Sequence, residues 1–441
     1  MKKSLLLVWA ITLSTVVLQL SSGLITATVP MRMNMDGFSS VNVGFAAAAY
    51  GAGFTLGCLA APAFIRYVGH IRVFASQAAV LSIVMLLFSQ AGREWHWILL
   101  RAVMGFGIAG MFTIADAWIS GSAPASHRGR VFSFYTVCTK MAMIVGPMLV
   151  TESSIVGPGL FMMASVFCSA CLIPIAATHT VEPPPPASVN LNLLELYRVA
   201  PSAVVGCLGI GLMSATINNM ASLYGVQIGL NKDAAAMLLV ALQAGSLIFQ
   251  WPWGWLSDRF DRRYVIIFMT CGALAAAVMV LFVSTRTSEP LLIWLSFMAF
   301  GGTAMCIYSV CVAHACDLVP NERIVPAVSG LLMIWAFGSS IGPAPAGKLM
   351  ETFGPNGVFY WSVAVAVCMI AFIWWRTTRR VLTPTKGGFS AAHWFARHVL
   401  PTRNIVTTDE HAEDFEDPDR LHNKESLLES AKEPAGTDST E

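Results

Sequence analysis

Twelve apolar stretches, each long enough to cross a bilayer, limit what this chain can fold into more than any other feature. Such a stretch crosses as a helix, because lipid offers no hydrogen-bond partner to an open backbone. Numbered as spans 1 to 12, the stretches cover residues 5–29, 41–65, 72–91, 96–119, 131–150, 158–178, 201–225, 233–253, 264–284, 290–313, 325–349 and 357–375. The sequence therefore predicts an all-α integral membrane protein.

Composition excludes the main alternatives. Only 12% of the residues are charged, whereas a soluble domain has about 25%. The net charge of +2 and the lack of a basic domain exclude a nucleic-acid binder. The sequence has no Walker A, H-E-x-x-H or G-x-S-x-G pattern, and its in-span cysteines have no paired base. We therefore expect neither an enzyme nor a metal or cofactor site.

Charge in the short loops predicts the orientation. Lys and Arg are concentrated in alternate loops, on the side that holds Lys2 and Lys3. The positive-inside rule places that side, and both termini, in the cytoplasm. The apolar run before Pro30 is too long for a cleaved signal peptide, so we interpret it as a retained first helix. This predicts a multi-pass protein of the bacterial inner membrane, in contact with lipid on its outer face.

The chain divides into two halves of six spans. Residues 179–200 form a cytoplasmic linker with four consecutive prolines, Pro183 to Pro186, which no helix can accommodate. The predicted domains are an N-terminal bundle (1–178), a C-terminal bundle (201–380) and a cytoplasmic tail (381–441). The tail has the composition of a disordered segment. Its basic part, 381–403, with interleaved aromatic residues, is also compatible with a membrane surface.

Two markers recur in both halves and indicate a duplication. Loop residues 62–72 follow span 2, and residues 254–263 follow span 8, 192 residues later. Gly146-Pro147 lies in span 5, and Gly342-Pro343 lies in the corresponding span 11. Parallel repeats of six helices are one route to a transporter with a site at the midplane.

These residues resemble the major facilitator superfamily. Residues 254–263 match its loop motif G-x-L-x-D-R-x-G-R-R, with Asp261 in place of the second glycine. Arg101-x-x-x-Gly105 in span 4 is similar to the family's buried-arginine motif, and Gly338-x-x-x-Gly342-Pro343 to its Gly-Pro motif. The resemblance implies two pseudo-symmetric six-helix bundles and secondary active transport by alternating access, with protons as the expected coupling ion.

A narrower resemblance is to the YcaD-like bacterial branch of that family. It depends on residues 69–72, 116–118, 128–130 and 308–309, followed by Ala313-His314 and Asp317. The branch usually has Glu where this chain has Asp116.

Two cations inside the N-terminal half are the main candidates for substrate or proton binding. Lys140 is expected near the midplane, and Arg101 about 8 Å below the outer edge. A charge at that depth is costly and faces the bundle interior. We interpret the pair as a positive site for an anionic or carboxylate-bearing substrate, with Lys140 also a candidate proton carrier. The alternative is a structural role, in which Arg101 bonds neighbouring carbonyls.

Neutral polar side chains provide further candidates. They are Gln243 and Trp335 near the midplane, and Gln19, Asn218 and Asn219 in the outer half. Each is either a ligand contact or a helix-helix hydrogen bond.

Charged loop residues suggest a gate. The resemblance places an acidic residue after span 2, where this chain has Arg66, so we expect a charge-swapped pair of Arg66 with Asp317 or Glu322. The symmetric pair would join Asp258 to Arg128 or Arg130. The other loop-motif residues are Gly69, Arg72, Asp116, Gly254, Arg259, Arg262 and Arg263. The helix-bending residues are Gly146, Pro147, Gly338, Gly342 and Pro343.

The sequence thus predicts a secondary transporter of a small organic solute, proton-coupled, with an anionic substrate favoured. A drug-type efflux antiporter for cationic or neutral amphiphiles is the alternative within the same class. A membrane receptor that keeps the fold without transporting is the alternative from another class.

Overall fold

The twelve expected membrane spans are all present in a computed structural model of the chain. The structure describes residues 2–122, 128–178, 193–287, 289–320 and 323–379. The candidate spans are Val8–Met35, Ser40–Val68, His70–Phe88, Glu94–Ile119, Val131–Glu152, Gly159–Ala176, Pro201–Gln227, Lys232–Arg259, Arg262–Arg286, Pro290–Leu318, Pro326–Phe353 and Gly357–Thr378. These replace the bounds expected from hydropathy, and most are longer because polar residues extend the last turns.

Some spans are divided into two helical segments, so the described residues form more helices than spans. The individual helices are Lys2–Met35, Ser40–Val68, His70–Phe88, Glu94–Ser122, Arg128–Met148, Gly159–Ala170, Leu172–Ala176, Leu193–Val199, Pro201–Ile210, Thr216–Gln227, Lys232–Arg259, Arg262–Arg286, Pro290–Ala304, Ile307–Leu318, Ile324–Ile341, Pro343–Phe353 and Gly357–Arg379. A 3₁₀ turn, Leu149–Glu152, ends span 5, and a π turn, Gly211–Ala215, lies within span 7. The seven-residue helix Leu193–Val199 belongs to the predicted linker.

Much of the predicted linker and the whole predicted tail lie outside the described residues. The described helices belong to one unit, Met1–Val399. The domain boundaries therefore remain a prediction.

Short caps and turns fix where the spans begin. Ser39 accepts from the Asn42 amide at 3.3 Å, and Asn231 accepts from the Ala234 amide at 2.8 Å. These side-chain oxygens satisfy amides that a helix start leaves open. Gly69, between spans 2 and 3, has φ +93° and ψ 160°, a conformation that only glycine adopts readily.

Asp261 shows why the second loop motif does without a glycine. It occupies the position 192 residues after Gly69, but its φ is −55°. Its carboxylate caps span 9 by accepting from the Arg263 amide at 2.9 Å. The corresponding loops therefore form in different ways: the first through the positive φ of Gly69, and the second through the side-chain cap of Asp261.

Glycines bring the same pairs of spans together in both halves. A Cβ on Gly53 of span 2 would collide with the Ala102 carbonyl of span 4, and a Cβ on Gly245 of span 8 would collide with the Met298 carbonyl of span 10. The two glycines are 192 residues apart (245 − 53). Glycine allows the backbones to approach closely, which is how helices associate in lipid. Packing thus repeats with the loop markers, in agreement with the expected pseudo-symmetry.

The Gly-Pro motifs also lie at close helix contacts. Gly146 packs against the Leu20 carbonyl of span 1, and Gly338 and Gly342 pack against carbonyls of span 7. Pro147 comes one residue before its helix ends, and Pro343 begins a new helix segment. Each motif therefore combines a close approach with a break in the backbone hydrogen bonds.

Candidate functional site

The two predicted cations each reach across the boundary between the first and the last six spans. The Arg101 guanidinium in span 4 donates to Asn219 Oδ1 in span 7 at 2.7 Å. Arg101 is 1% exposed and lies 4.9 Å from the centre of the Tyr50 ring. Its Nε has no hydrogen-bond partner among the described residues. Arg101 and Asn219, both predicted as site residues, are therefore in direct contact.

Lys140 makes a second contact across the boundary. Its Nζ donates to Gln250 Oε1 at 2.8 Å and to Ser246 Oγ at 3.1 Å, both in span 8. Cys306 of span 10 lies beside this pair, with its thiol 3.4 Å from the Ser246 carbonyl. All partners of the ammonium group in these contacts are neutral.

A polar stripe on span 8 extends from Lys140 to span 7. Gln243 donates to Asn218 Oδ1 at 2.8 Å, next to Asn219. Gln243, Ser246 and Gln250 follow one another at intervals of three and four residues, so they share one helix face. Gln243 and Gln250 are about 10 Å apart along the axis. The stripe therefore runs from Asn218, the residue next to Asn219, to the Lys140 contact.

Aromatic rings line the same boundary. The Phe54 ring lies 6.3 Å from the Trp335 ring, and Trp335 lies 6.4 Å from Tyr308. Trp335, predicted as a cavity residue, is thus half-buried among aromatic rings from both halves. Gln19, also predicted, is half-buried, and its side chain makes no hydrogen bond to any described residue.

The two halves are joined on the predicted outer side. Gln227 at the end of span 7 donates to Ser40 Oγ at 2.9 Å, at the start of span 2. Lys232 at the start of span 8 donates to the Ser153 carbonyl at 3.0 Å, after span 5. Gly347 of span 11 packs against the Ser40 backbone. The predicted outer side is therefore closed in this conformation.

At the other side, Asp317 forms a different ion pair from the predicted one. Asp317 bonds Arg262 at 2.7 Å, not Arg66, and Asp258 lies 3.6 Å from the same Arg262. Arg66 is exposed and forms no ion pair with another described residue. The reason is proximity, since Arg262 begins a helix that packs against Ile307–Leu318, the helix that carries Asp317. Glu322 and the side chains of Arg128 and Arg130 lie outside the described residues.

The remaining loop-motif residues differ in their exposure and contacts. Arg72 and Asp116 are exposed, and Arg263 is buried. The Arg259 guanidinium stacks over the Trp255 ring, 4.0 Å from its centre. A Cβ added to Gly254 would have no other atom within 4 Å. Within the described residues, no group of His, Cys, Asp and Glu is arranged to hold a metal.

Three functional candidates were missed from the sequence: Tyr50, Ser246 and Gln250. Ser246 and Gln250 carry a readable signal, because they extend the period of Gln243 along an otherwise apolar helix. Tyr50 carries no such signal, because its approach to Arg101 depends on the packing of spans 2 and 4.

A bundle of twelve spans whose halves meet over buried polar contacts has the architecture of a membrane transporter. The model of the Major Facilitator Superfamily matches residues 11–201 and 203–408, and the chain belongs to that family. It is therefore a multi-pass membrane transporter and not an enzyme.

Relatives and solved structures agree with this assignment. The chain is 23% identical over 366 residues to "Uncharacterized MFS-type transporter YcaD" of Escherichia coli O45:K1 (strain S88 / ExPEC), covering 81% of this chain and 91% of that protein. The nucleoside transporter NupG superimposes with a TM-score of 0.71 at 12% identity, over 85% of this chain and 100% of NupG. A D-xylose-proton symporter superimposes with a TM-score of 0.64 at 16% identity, over 83% of this chain and 97% of that one.

Proposed function

We propose that the protein transports a small organic anion by alternating access, coupled to protons, in the bacterial inner membrane with both termini cytoplasmic. The observation that carries the proposal is the pair of cations at the boundary between the halves. Arg101 and Lys140 each contact only neutral oxygens from the opposite half in the hydrogen bonds described above.

The electrostatics of that boundary favour an anion. A buried charge is costly unless an opposite charge or several hydrogen bonds compensate it. Arg101 has an open Nε, and its planar fork fits a carboxylate better than a single amide oxygen. Asn219 Oδ1 thus occupies part of the position that a substrate carboxylate would take.

This arrangement links binding to the movement of the halves. An anion that takes Arg101 from Asn219 removes a hydrogen bond between spans 4 and 7. A ligand shifts a conformational equilibrium only through different interactions with the two states. Competition for Arg101 supplies such a difference, so substrate binding favours opening of the closed outer side.

Lys140 is the proposed proton carrier. Its ammonium group donates both of its bonds to span 8, and loss of the proton would weaken that link between the halves. Cys306 is the other titratable side chain described beside it. A proton symporter among the structural neighbours supports this mode of coupling without fixing it for this chain.

Thermal stabilisation by a panel of anions, cations and neutral solutes tests the substrate class. A ligand at 100 times its Kd stabilises the folded protein by about 2.7 kcal/mol. Stabilisation by anions should be lost in Lys140→Gln and Arg101→Gln. It should survive in two matched controls, Lys348→Gln at the surface and Arg286→Gln, whose guanidinium also lies over a ring.

Two outcomes would contradict the proposal. Stabilisation by cations or neutral amphiphiles, indifferent to both substitutions, would favour drug-type efflux.

In liposomes with a pH dye inside, uptake of the stabilising anion should be accompanied by proton movement. Lys140→Gln with unchanged transport and pH dependence would exclude Lys140 as the carrier.

A further inference from the structure

A groove on spans 2, 3 and 4 is separate from the polar boundary. Span 3 packs against spans 2, 4 and 6 of its own half, so its remaining surface faces lipid. The groove has a volume of about 330 Å³, at the lower end for a small-molecule site. Its walls are apolar and include Phe64, Val68, Val80, Val103 and Phe106.

One buried amide interrupts these apolar walls. Gln77 lines the groove, is 8% exposed, and packs against Gly110. The Gln77 side chain forms no hydrogen bond with any described residue, and its buried Oε1 is left without a partner among them. The neighbouring Ser76 has already donated its hydroxyl proton to the Val73 carbonyl at 3.0 Å. An unpaired amide surrounded by hydrocarbon is unfavourable, so the groove is incomplete without a polar partner.

We propose that the groove binds a neutral amphiphile from the bilayer, with a medium-length apolar chain and a single hydroxyl group. A hydroxyl both donates and accepts, so it can pair with either atom of an amide. No Lys, Arg, Asp or Glu lines the groove, which excludes a charged head group as the recognised part. Gln77 lies seven residues into its helix, about 10 Å from the helix end, below the depth of lipid head groups.

A photoreactive octanol that carries a diazirine tests the site. In liposomes containing the full-length protein, mass spectrometry should locate adducts on the groove residues of spans 2, 3 and 4. Excess 1-octanol should suppress them. Gln77→Met keeps the size of the side chain but forms no such bond. The Gln77→Met substitution should weaken the competition by octanol about fivefold, which is the change in affinity that one neutral hydrogen bond contributes.

A steric pair controls for position. Val80→Trp should abolish labelling by filling the groove, whereas Ile83→Trp, on the same helix and also exposed, should leave it unchanged. The same probe without its hydroxyl should label the groove weakly. The proposal is wrong if the hydroxyl-free probe labels equally and Gln77→Met has no effect, which would indicate an acyl chain. It is also wrong if Val80→Trp and Ile83→Trp behave alike.

Discussion

The hydrogen bond between Arg101 and Asn219 should hold the outer side closed. It joins two buried side chains from opposite halves, and its donor is charged. Hydrogen bonds to charged groups contribute about 1.5–3 kcal/mol, which corresponds to about a tenfold to hundredfold change in an equilibrium. Arg101→Met should therefore raise the ratio of open to closed outer sides by that factor, without substrate present.

Distance measurements between spin labels at Met35 and Phe353 would follow this change. Both residues are exposed at the predicted outer side, one in each half. Arg286→Met is the matched control, because it removes a guanidinium that lies over a single ring within one helix.

A double-mutant cycle identifies the bond itself. Asn219→Leu alone should shift the ratio in the same direction, and the double variant should add little to either single one. If the two effects simply add, Arg101 and Asn219 do not act together, and the bond does not hold the halves closed.

Four further substitutions probe the packing and the outer contacts. Gly53→Ala should destabilise the protein by about 1–3 kcal/mol in thermal unfolding, because the added Cβ would collide with a carbonyl of span 4. Gly254→Ala should stabilise it by up to about 1 kcal/mol, because the added Cβ would meet no other atom. Gly69→Ala should cost about 1–3 kcal/mol in the same assay because of its positive φ; an unchanged melting temperature would contradict that conformation. Lys232→Met, which loses its bond to the Ser153 carbonyl, should increase labelling of a cysteine at the outer side, and equal labelling would exclude Lys232 from the closure.

The number and order of the spans could be predicted from the sequence because hydropathy depends on local composition. The ends could not be predicted as well. Span 8 was expected to stop at residue 253, yet its helix continues to Arg259. The last three residues, Ser257 to Arg259, are polar, and a helix needs no apolar residues once it leaves the hydrocarbon. Local backbone preference decides such ends, and hydropathy does not record it.

The candidate site was predictable as a set of residues but not as a set of contacts. A charge or amide within a span is conspicuous, which identified Arg101, Lys140 and Asn219. Their partners depend on how spans from different halves meet, and no local pattern encodes that. The expected pair of Arg66 and Asp317 shows the same limit, since Asp317 instead bonds a residue of its own half.

The π turn at Gly211–Ala215 has a consequence for this contact. A π turn holds one residue more than the α-helical turn it replaces, so every later side chain in span 7 is rotated by about 100°. The turn is supported from outside, because Trp361 donates to the Leu212 carbonyl at 2.9 Å. Asn219 comes four residues after the turn and points at Arg101 because the wider turn absorbs one residue. If the same residues formed an ordinary α-helix through 211–215, Asn219 would rotate by about 100° and Asn218 would face Arg101 instead. This one wide turn therefore assigns Asn219 to Arg101 and leaves Asn218 to Gln243.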